Sequence, residues 1–199
     1  MKNKFLTAFS FALCAALPLS ASAAVITSAS DASLVGAAVE TFDTVTDGNY
    51  ASLSLPGVTI VGNGAPMTVD ATWTSAYGVA GQSLHNSNSS PLSFDIIFDS
   101  AVSAFGIWGG AYNNNWTFDA YDASGALIET ANITTACCSA QFAGLANAGM
   151  SRITLSGFGD WVIFDNLTYT QAQVSEPSSV ALILLGLAGL SFSRRKTRA

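Results

Sequence analysis

Apolar and polar side chains alternate with a period of two along much of this chain, and no useful stretch between residues 24 and 174 repeats with a helical period. Phe94, Ile96 and Phe98 alternate with Ser93, Asp95, Ile97 and Asp99. Trp116, Phe118 and Ala120 alternate with Thr117, Asp119 and Tyr121, and Ile153 and Leu155 with Arg152, Thr154 and Ser156. Successive side chains on a strand point to opposite faces, so this pattern predicts half-buried strands. Further strands are expected over 51–61, 67–74, 101–108, 126–133 and 161–169. Gly62-Asn63-Gly64, residues 85–90, residues 109–115 and Ser124-Gly125 supply the turn chemistry between them. Many short strands separated by turns specify an all-β fold, an antiparallel β-sandwich of jelly-roll type.

Charge narrows the partners. Arg152 is the sole Lys or Arg between residues 24 and 174, against Asp31, Glu40, Asp43, Asp47, Asp70, Asp95, Asp99, Asp119, Asp122, Glu129, Asp160 and Asp165. A domain this acidic has no electrostatic footprint for nucleic acid and none for anionic lipid. Cations, neutral sugars and basic partners stay open.

Both ends read as targeting segments. Lys2 and Lys4 precede an apolar run over 5–17, and Ala21-Ser22-Ala23 supplies small residues at a cleavage site. This is the pattern of a secretory signal peptide over 1–23, cut between Ala23 and Ala24. Leu13 before Cys14 argues against lipoprotein processing. At the other end, Ser175-Glu176-Pro177 is followed by an uncharged run over 180–192, then by Arg194, Arg195, Lys196 and Arg198. The run is shorter than the about 20 residues of a relaxed spanning helix, and crosses with its flanks or in a thinned bilayer. The basic cluster would stay cytoplasmic and leave 24–174 outside.

The tail over 175–199 resembles the PEP-CTERM sorting signal, also catalogued as an ice-binding protein C-terminal domain. Its acidic residue and proline are Glu176 and Pro177, and Ser175 stands where the motif has its first proline. The resemblance implies recognition by an exosortase in a Gram-negative bacterium that makes extracellular polysaccharide. Cleavage near Glu176-Pro177 would follow a membrane-bound intermediate, with delivery to the cell surface, outer envelope or extracellular matrix. The stretch Phe105-Gly106-Ile107-Trp108-Gly109, residues 116–122 with Ser124-Gly125, and Phe164-Asp165-Asn166-Leu167-Thr168-Tyr169 resemble galactose-binding-like sandwiches found ahead of such tails. That second resemblance implies a structural calcium pairing Asp165 with Glu40 or Asp43. Calcium suits a domain rich in oxygen donors.

Catalytic residues are scarce. His85 is the only histidine and reads as part of a solvated loop, so no nucleophile–base–acid arrangement assembles and no catalytic residue is assigned. A pair of carboxylates for glycan hydrolysis stays open among so many acids. Tyr112, Asn113, Asn114 and Asn115 form a candidate sugar-binding loop, or a long hairpin turn whose Asn residues tolerate left-handed angles. Trp108 and Trp116 read as core. Cys137 and Cys138 are the only cysteines after the leader. A vicinal disulfide, free thiols and an intermolecular bridge all remain open, because adjacent Cα atoms at about 3.8 Å sit below the usual disulfide span.

These observations lead to the expectation of an exported, non-enzymatic surface or matrix protein whose sandwich binds a glycan or another envelope component. A purely structural matrix protein and a carboxylate-dependent hydrolase are the alternatives.

Overall fold

In the computed structural model the described residues are 24–86, 90–111, 115–134 and 138–171. The proposed leader and the whole tail, Ser175 to Arg198 included, lie outside them. The strands in chain order are β1 (Ala24–Ile26), β2 (Ala38–Glu40), β3 (Gly48–Tyr50), β4 (Ser52–Leu55), β5 (Val58–Gly62) and β6 (Met67–Asp70). A single helical turn, α1 (Thr74–Tyr77), separates them from β7 (Ser83–Asn86), β8 (Ser93–Ala111), β9 (Asn115–Tyr121), β10 (Leu127–Thr134), β11 (Gln141–Ser156) and β12 (Val162–Gln171). Every pairing among them is antiparallel.

Two long strands build both layers. In one layer the first part of β8 lies between β5 and the end of β11, with β9 and β10 beyond. In the other, the second part of β8 lies between β12 and the start of β11, with β7, β6 and β3 continuing past β12. Register breaks at Ala146/Met150 and Met150/Arg152 mark where β11 passes from one layer to the other. Bulges let a strand turn this corner without ending. For this reason the expected strands at 93–99 and 101–108 are one element.

The alternating aromatic residues meet between the layers. Phe94 packs edge-on against Phe164 at 5.1 Å, Trp116 against Phe164 at 5.4 Å, and Phe105 lies 5.5 Å from Phe118. Phe98 meets Tyr169 at 5.3 Å, and the Tyr169 hydroxyl donates to Pro56 O at 2.7 Å. Trp116 is core, as expected. Trp108 instead packs on Phe142 in a smaller cluster with Ile26, Leu34 and Ala104, on the outer face of the second layer.

Three expectations are corrected. The expected strand over 51–61 is a hairpin, turned at Pro56-Gly57 with Gly57 at φ 78°, where a side chain would be strained. His85 is not in a solvated loop: it is 4 % exposed, in β7 between β6 and β12. Simple alternation along β12 puts Asp165 on the same face as Trp161, Ile163, Leu167 and Tyr169, and that also fails. Asn166 takes φ 48° and the register slips between Asp165 and Thr168. One extra residue reverses the side-chain alternation, so Ile163 and Asp165 face outward while Leu167 and Tyr169 face the core.

Ala24, Ala146, Ala104 and Thr170 lie in one row across β1, β11, β8 and β12. The first and last described residues therefore leave the sandwich at the same end. Ile163 is about 20 Å further along β12, toward the opposite end.

Candidate functional site

At that opposite end, the outer face of the second layer carries an aromatic cleft of ≈ 300 Å³ lined by Trp73, Ala76, Tyr77, His85, Cys138, Trp161, Val162 and Ile163. Its floor is set by register. Ile163 pairs with Gly110 on one side and His85 on the other, and Thr68 continues the row beyond His85. Gly110 admits the Tyr77 ring, since a Cβ there would lie 2.4 Å from it.

The walls follow from local sequence. Asp70, the last residue of β6, accepts the Thr72 N–H at 2.8 Å, which reverses the chain and presents Trp73 before α1. Gly78 ends α1 at φ 75° with its N–H donating to Thr74 O. Trp73, 40 % exposed, packs against Trp161 at the rim, their rings 5.6 Å apart and tilted by 56°. Trp161 is held by its neighbours. Buried Asn86 accepts the Val162 N–H at 2.9 Å and donates to Asp160 O at 2.6 Å and Pro91 O at 3.3 Å.

The polar groups are few and acidic. His85 Nε2 meets Asp70 Oδ1 at 3.0 Å, and its Nδ1 faces Asn86 O at 3.2 Å. Burial works to raise the Asp70 carboxyl, but hydrogen bonds from Thr72 and His85 together outweigh it and hold the group below its ordinary range. Burial, with the charge of Asp160, raises the Tyr77 hydroxyl. Past Asp70 the surface opens into a polar hollow lined by Asp47, Gly48, Asn49, Thr68, Asp70, Ala71 and Thr72.

The structure places the sequence-selected residues as follows. Tyr112, Asn113 and Asn114 lie outside the described residues. Asn115 is exposed at the start of β9, its Oδ1 accepting from Thr134. Cys138 is disulfide-bonded and lines the cleft, at φ 66°. Cys137 lies outside the described residues. Asp165 is 1 % exposed and accepts from Asn166 N at 2.7 Å and Asn166 Nδ2 at 3.0 Å. Burial pushes its carboxyl up to about 6, and the nearby charge of Asp43 adds to the rise. Glu40 sits apart, beside Leu167, and its charge reaches Tyr169 instead.

Among the described residues no three His, Cys, Asp or Glu side chains gather as a metal-binding group. Asp43 accepts the Gln82 N–H at 2.9 Å, and Gln82 Oε1 is buried with no hydrogen-bond partner. Of the two acids expected beside Asp165, Asp43 is the one whose charge acts on it, and carboxylate and amide oxygens are the donor types that calcium takes. Also among the described residues, no helix is long and apolar enough to cross a membrane; the apolar run over 180–192 lies outside them.

Trp73, Tyr77, His85 and Trp161 were not selected from the sequence as a site. The available signal was position: both tryptophans fall at the ends of expected strands, where loops and function concentrate.

The described part of the chain is thus an antiparallel β-sandwich with an aromatic cleft on one sheet face. Residues 173–196 match the PEP-CTERM protein-sorting motif, as the Glu176-Pro177 tail led one to expect. The motif is a substrate signal for exosortase and implies export to the cell surface or outside the cell. No curated protein matches the chain in sequence. Among solved structures, the C-terminal family 22 carbohydrate-binding module of Clostridium thermocellum Xyn10B is similar at TM-score 0.36 and 9 % identity, over 70 % of this chain and 96 % of that one. The enzymatically active domain of bacteriophage CBA120 tailspike protein 4 is similar at TM-score 0.36 and 10 % identity, over 66 % of this chain and 20 % of that one. This chain thus spans about a fifth of the tailspike chain. Likeness at this level carries no argument about ligand or activity.

Proposed function

We propose that this protein is a non-enzymatic surface or extracellular-matrix component, released from its leader after Ala23 and sorted by an exosortase, whose galactose-binding-like, jelly-roll sandwich holds a glycan in the Trp73–Trp161 cleft. One observation carries the binding reading: two packed indoles and a tyrosine line a sugar-sized hollow at the end of the sandwich opposite Ala24 and Gln171. Indole faces stack on the CH faces of pyranose rings, and a few placed polar groups fix orientation. An anchored domain of this geometry presents the cleft away from the membrane. Asp43, Asp165 and Gln82 Oε1 would hold a structural calcium, which neutralises the buried Asp165 carboxylate beside the exposed Asp43.

Binding is tested with the full chain and the extracellular polysaccharide of its host. Trp161→Ala and Trp73→Ala should each weaken binding by about tenfold or more, as for central aromatic anchors. Melting temperature should hardly change for Trp73→Ala, since that ring is already half in solvent. Undiminished binding by both variants would remove the cleft from this role. Appearance of new reducing ends during incubation would favour the hydrolase instead.

Sorting is tested by intact mass. The mature wild-type protein should lack residues beyond about Pro177, and Glu176-Pro177→Ala-Ala should leave the tail attached. Neutralising Arg194, Arg195, Lys196 and Arg198 should stall the same step, because these charges hold the terminus on the cytoplasmic side. Finding Arg198 on the mature wild-type protein would refute processing at this motif.

A further inference from the structure

The cleft does not end at its aromatic walls. Asp70 and His85 share a hydrogen bond, and Asp70, Ala71 and Thr72 lead straight into Trp73, so the aromatic hollow and the polar hollow are two lobes of one surface. Asn49, Thr68 and His85 lie in one row across β3, β6 and β7, on the same side of the sheet as Ile163. A chain ligand lying over this row would place one unit on the indoles and the next beside Asp47 and Asp70.

The charge along that path has one sign. Asp160 is close enough to Tyr77 for its charge to raise the hydroxyl. Asp70 forms the divide, and Asp47 lines the second lobe. His85, the one basic ring lining the surface, is engaged by Asp70. The single described Arg or Lys, Arg152, belongs to the other layer, where it sits 3.9 Å over the Tyr121 ring and 3.4 Å from Asp95. An anionic chain would meet the carboxylates of Asp47 and Asp160, and no Lys or Arg among the described residues lines either hollow. A positively charged group would gain from the same carboxylates and from the negative faces of Trp73, Trp161 and Tyr77.

We infer that this two-lobed surface selects a glycan chain bearing free amino groups, a positively charged amino-sugar polymer, over neutral and acidic chains. The inference rests on the glycan reading of the cleft and adds the chemistry of its ligand. Thr68, Thr72 and Asn49 supply hydroxyl and amide groups for the sugar hydroxyls in the second lobe. Asp47 and Asp160 supply the preference for charge.

The test compares three probes by calorimetry on the full chain: glucosamine oligomers, the fully N-acetylated oligomers of equal length, and polyuronate oligomers. Glucosamine oligomers should bind about tenfold tighter than the acetylated ones, and polyuronates should not bind measurably. Raising salt from about 20 mM to about 300 mM should shrink that advantage, because exposed charges are screened over a shorter distance. Asp47→Asn with Asp160→Asn should lower the affinity for glucosamine oligomers about tenfold more than that for the acetylated oligomers, bringing the two together, and Trp161→Ala should weaken both. Equal affinity for charged and acetylated oligomers at both salt concentrations, still lost in Trp161→Ala, would overturn the inference and leave the glycan reading standing. Preference for polyuronate would overturn it as well. Binding of none of the three would also overturn it, and the host polysaccharide experiment then decides the glycan reading separately.

Discussion

Asn86→Ala should lower the unfolding free energy by about 4 kcal/mol and move the melting temperature down by about 10 °C. The side chain is fully buried in β7 and ties together three segments, adding to the β7–β12 pairing at Ile163 and Phe164. It accepts from Val162 N, donates to Asp160 O and donates to Pro91 O. Alanine leaves a donor and two acceptors facing a cavity. Each such orphan costs about 1–3 kcal/mol, and the cavity adds to that. Asn86→Asp should not rescue, since a carboxylate would keep the acceptor toward Val162 yet turn its second oxygen on the two carbonyls. Because Asp160 and Val162 flank Trp161, the same change should loosen one wall of the cleft and weaken glycan binding. Differential scanning calorimetry checks the first part. A melting temperature within about 2 °C of wild type would mean that the start of β12 is anchored by something other than Asn86.

The sequence made the fold class legible because its strongest signal is the one that physics ties most directly to strands. Phe94, Ile96, Phe98, Trp116 and Phe118 face the core as their alternation requires. The failures are instructive in the same terms. The continuity of β8 through Ser100 was hidden because Asp99 and Ser100 look like a turn, whereas the strand bends there and serves both layers. Parity on β12 failed at Asn166, a residue type that tolerates positive φ at low cost. The polarity of Asn86, Ser87 and Asn88 beside it makes His85 look solvent-exposed in the sequence. In fact Asn86 is polar for a buried purpose, and His85 is screened by α1 and Trp161.

The site was less legible than the fold because it is assembled from distant segments. Trp73 and Trp161 are far apart in sequence, and only the strand order β6-β7-β12 brings them to one opening. No local spacing rule records that proximity. The tail is the opposite case. Its motif, apolar run and basic cluster are contiguous, and the match over 173–196 depends on no tertiary contact.

In the absence of calcium, the chain should become less stable as pH rises from 4 to 7, through the carboxyl of Asp165. Burial holds that group at about 6 in the folded state against an ordinary 3.8, with the charge of Asp43 adding to the effect. Below about pH 4 the proton is bound in both states and Asp165 costs nothing. As pH rises the unfolded chain releases the proton first, so unfolding is favoured, and the full cost is present above about 6. The difference between the two values corresponds to about 3 kcal/mol. Asp31 and Asp122, held below their ordinary values by hydrogen bonds from Ser33 and from Ser124 with Ala126, pull the other way at lower pH. The difference between wild type and Asp165→Asn isolates the one group. In chelator at pH 7 the variant should be more stable by about 1–2 kcal/mol, the remainder of the gain being offset by the lost Asn166 Nδ2 bond. Calcium in large excess should reverse the order at pH 7 by stabilising only the wild type, by about 2–3 kcal/mol through mass action. The same addition at pH 5 should do much less, because the proton competes for the ligand. If wild type and Asp165→Asn melt alike with and without calcium at pH 7, Asp43, Gln82 and Asp165 hold no ion. Asp165 would then be only a buried acid tied to the bulge at Asn166.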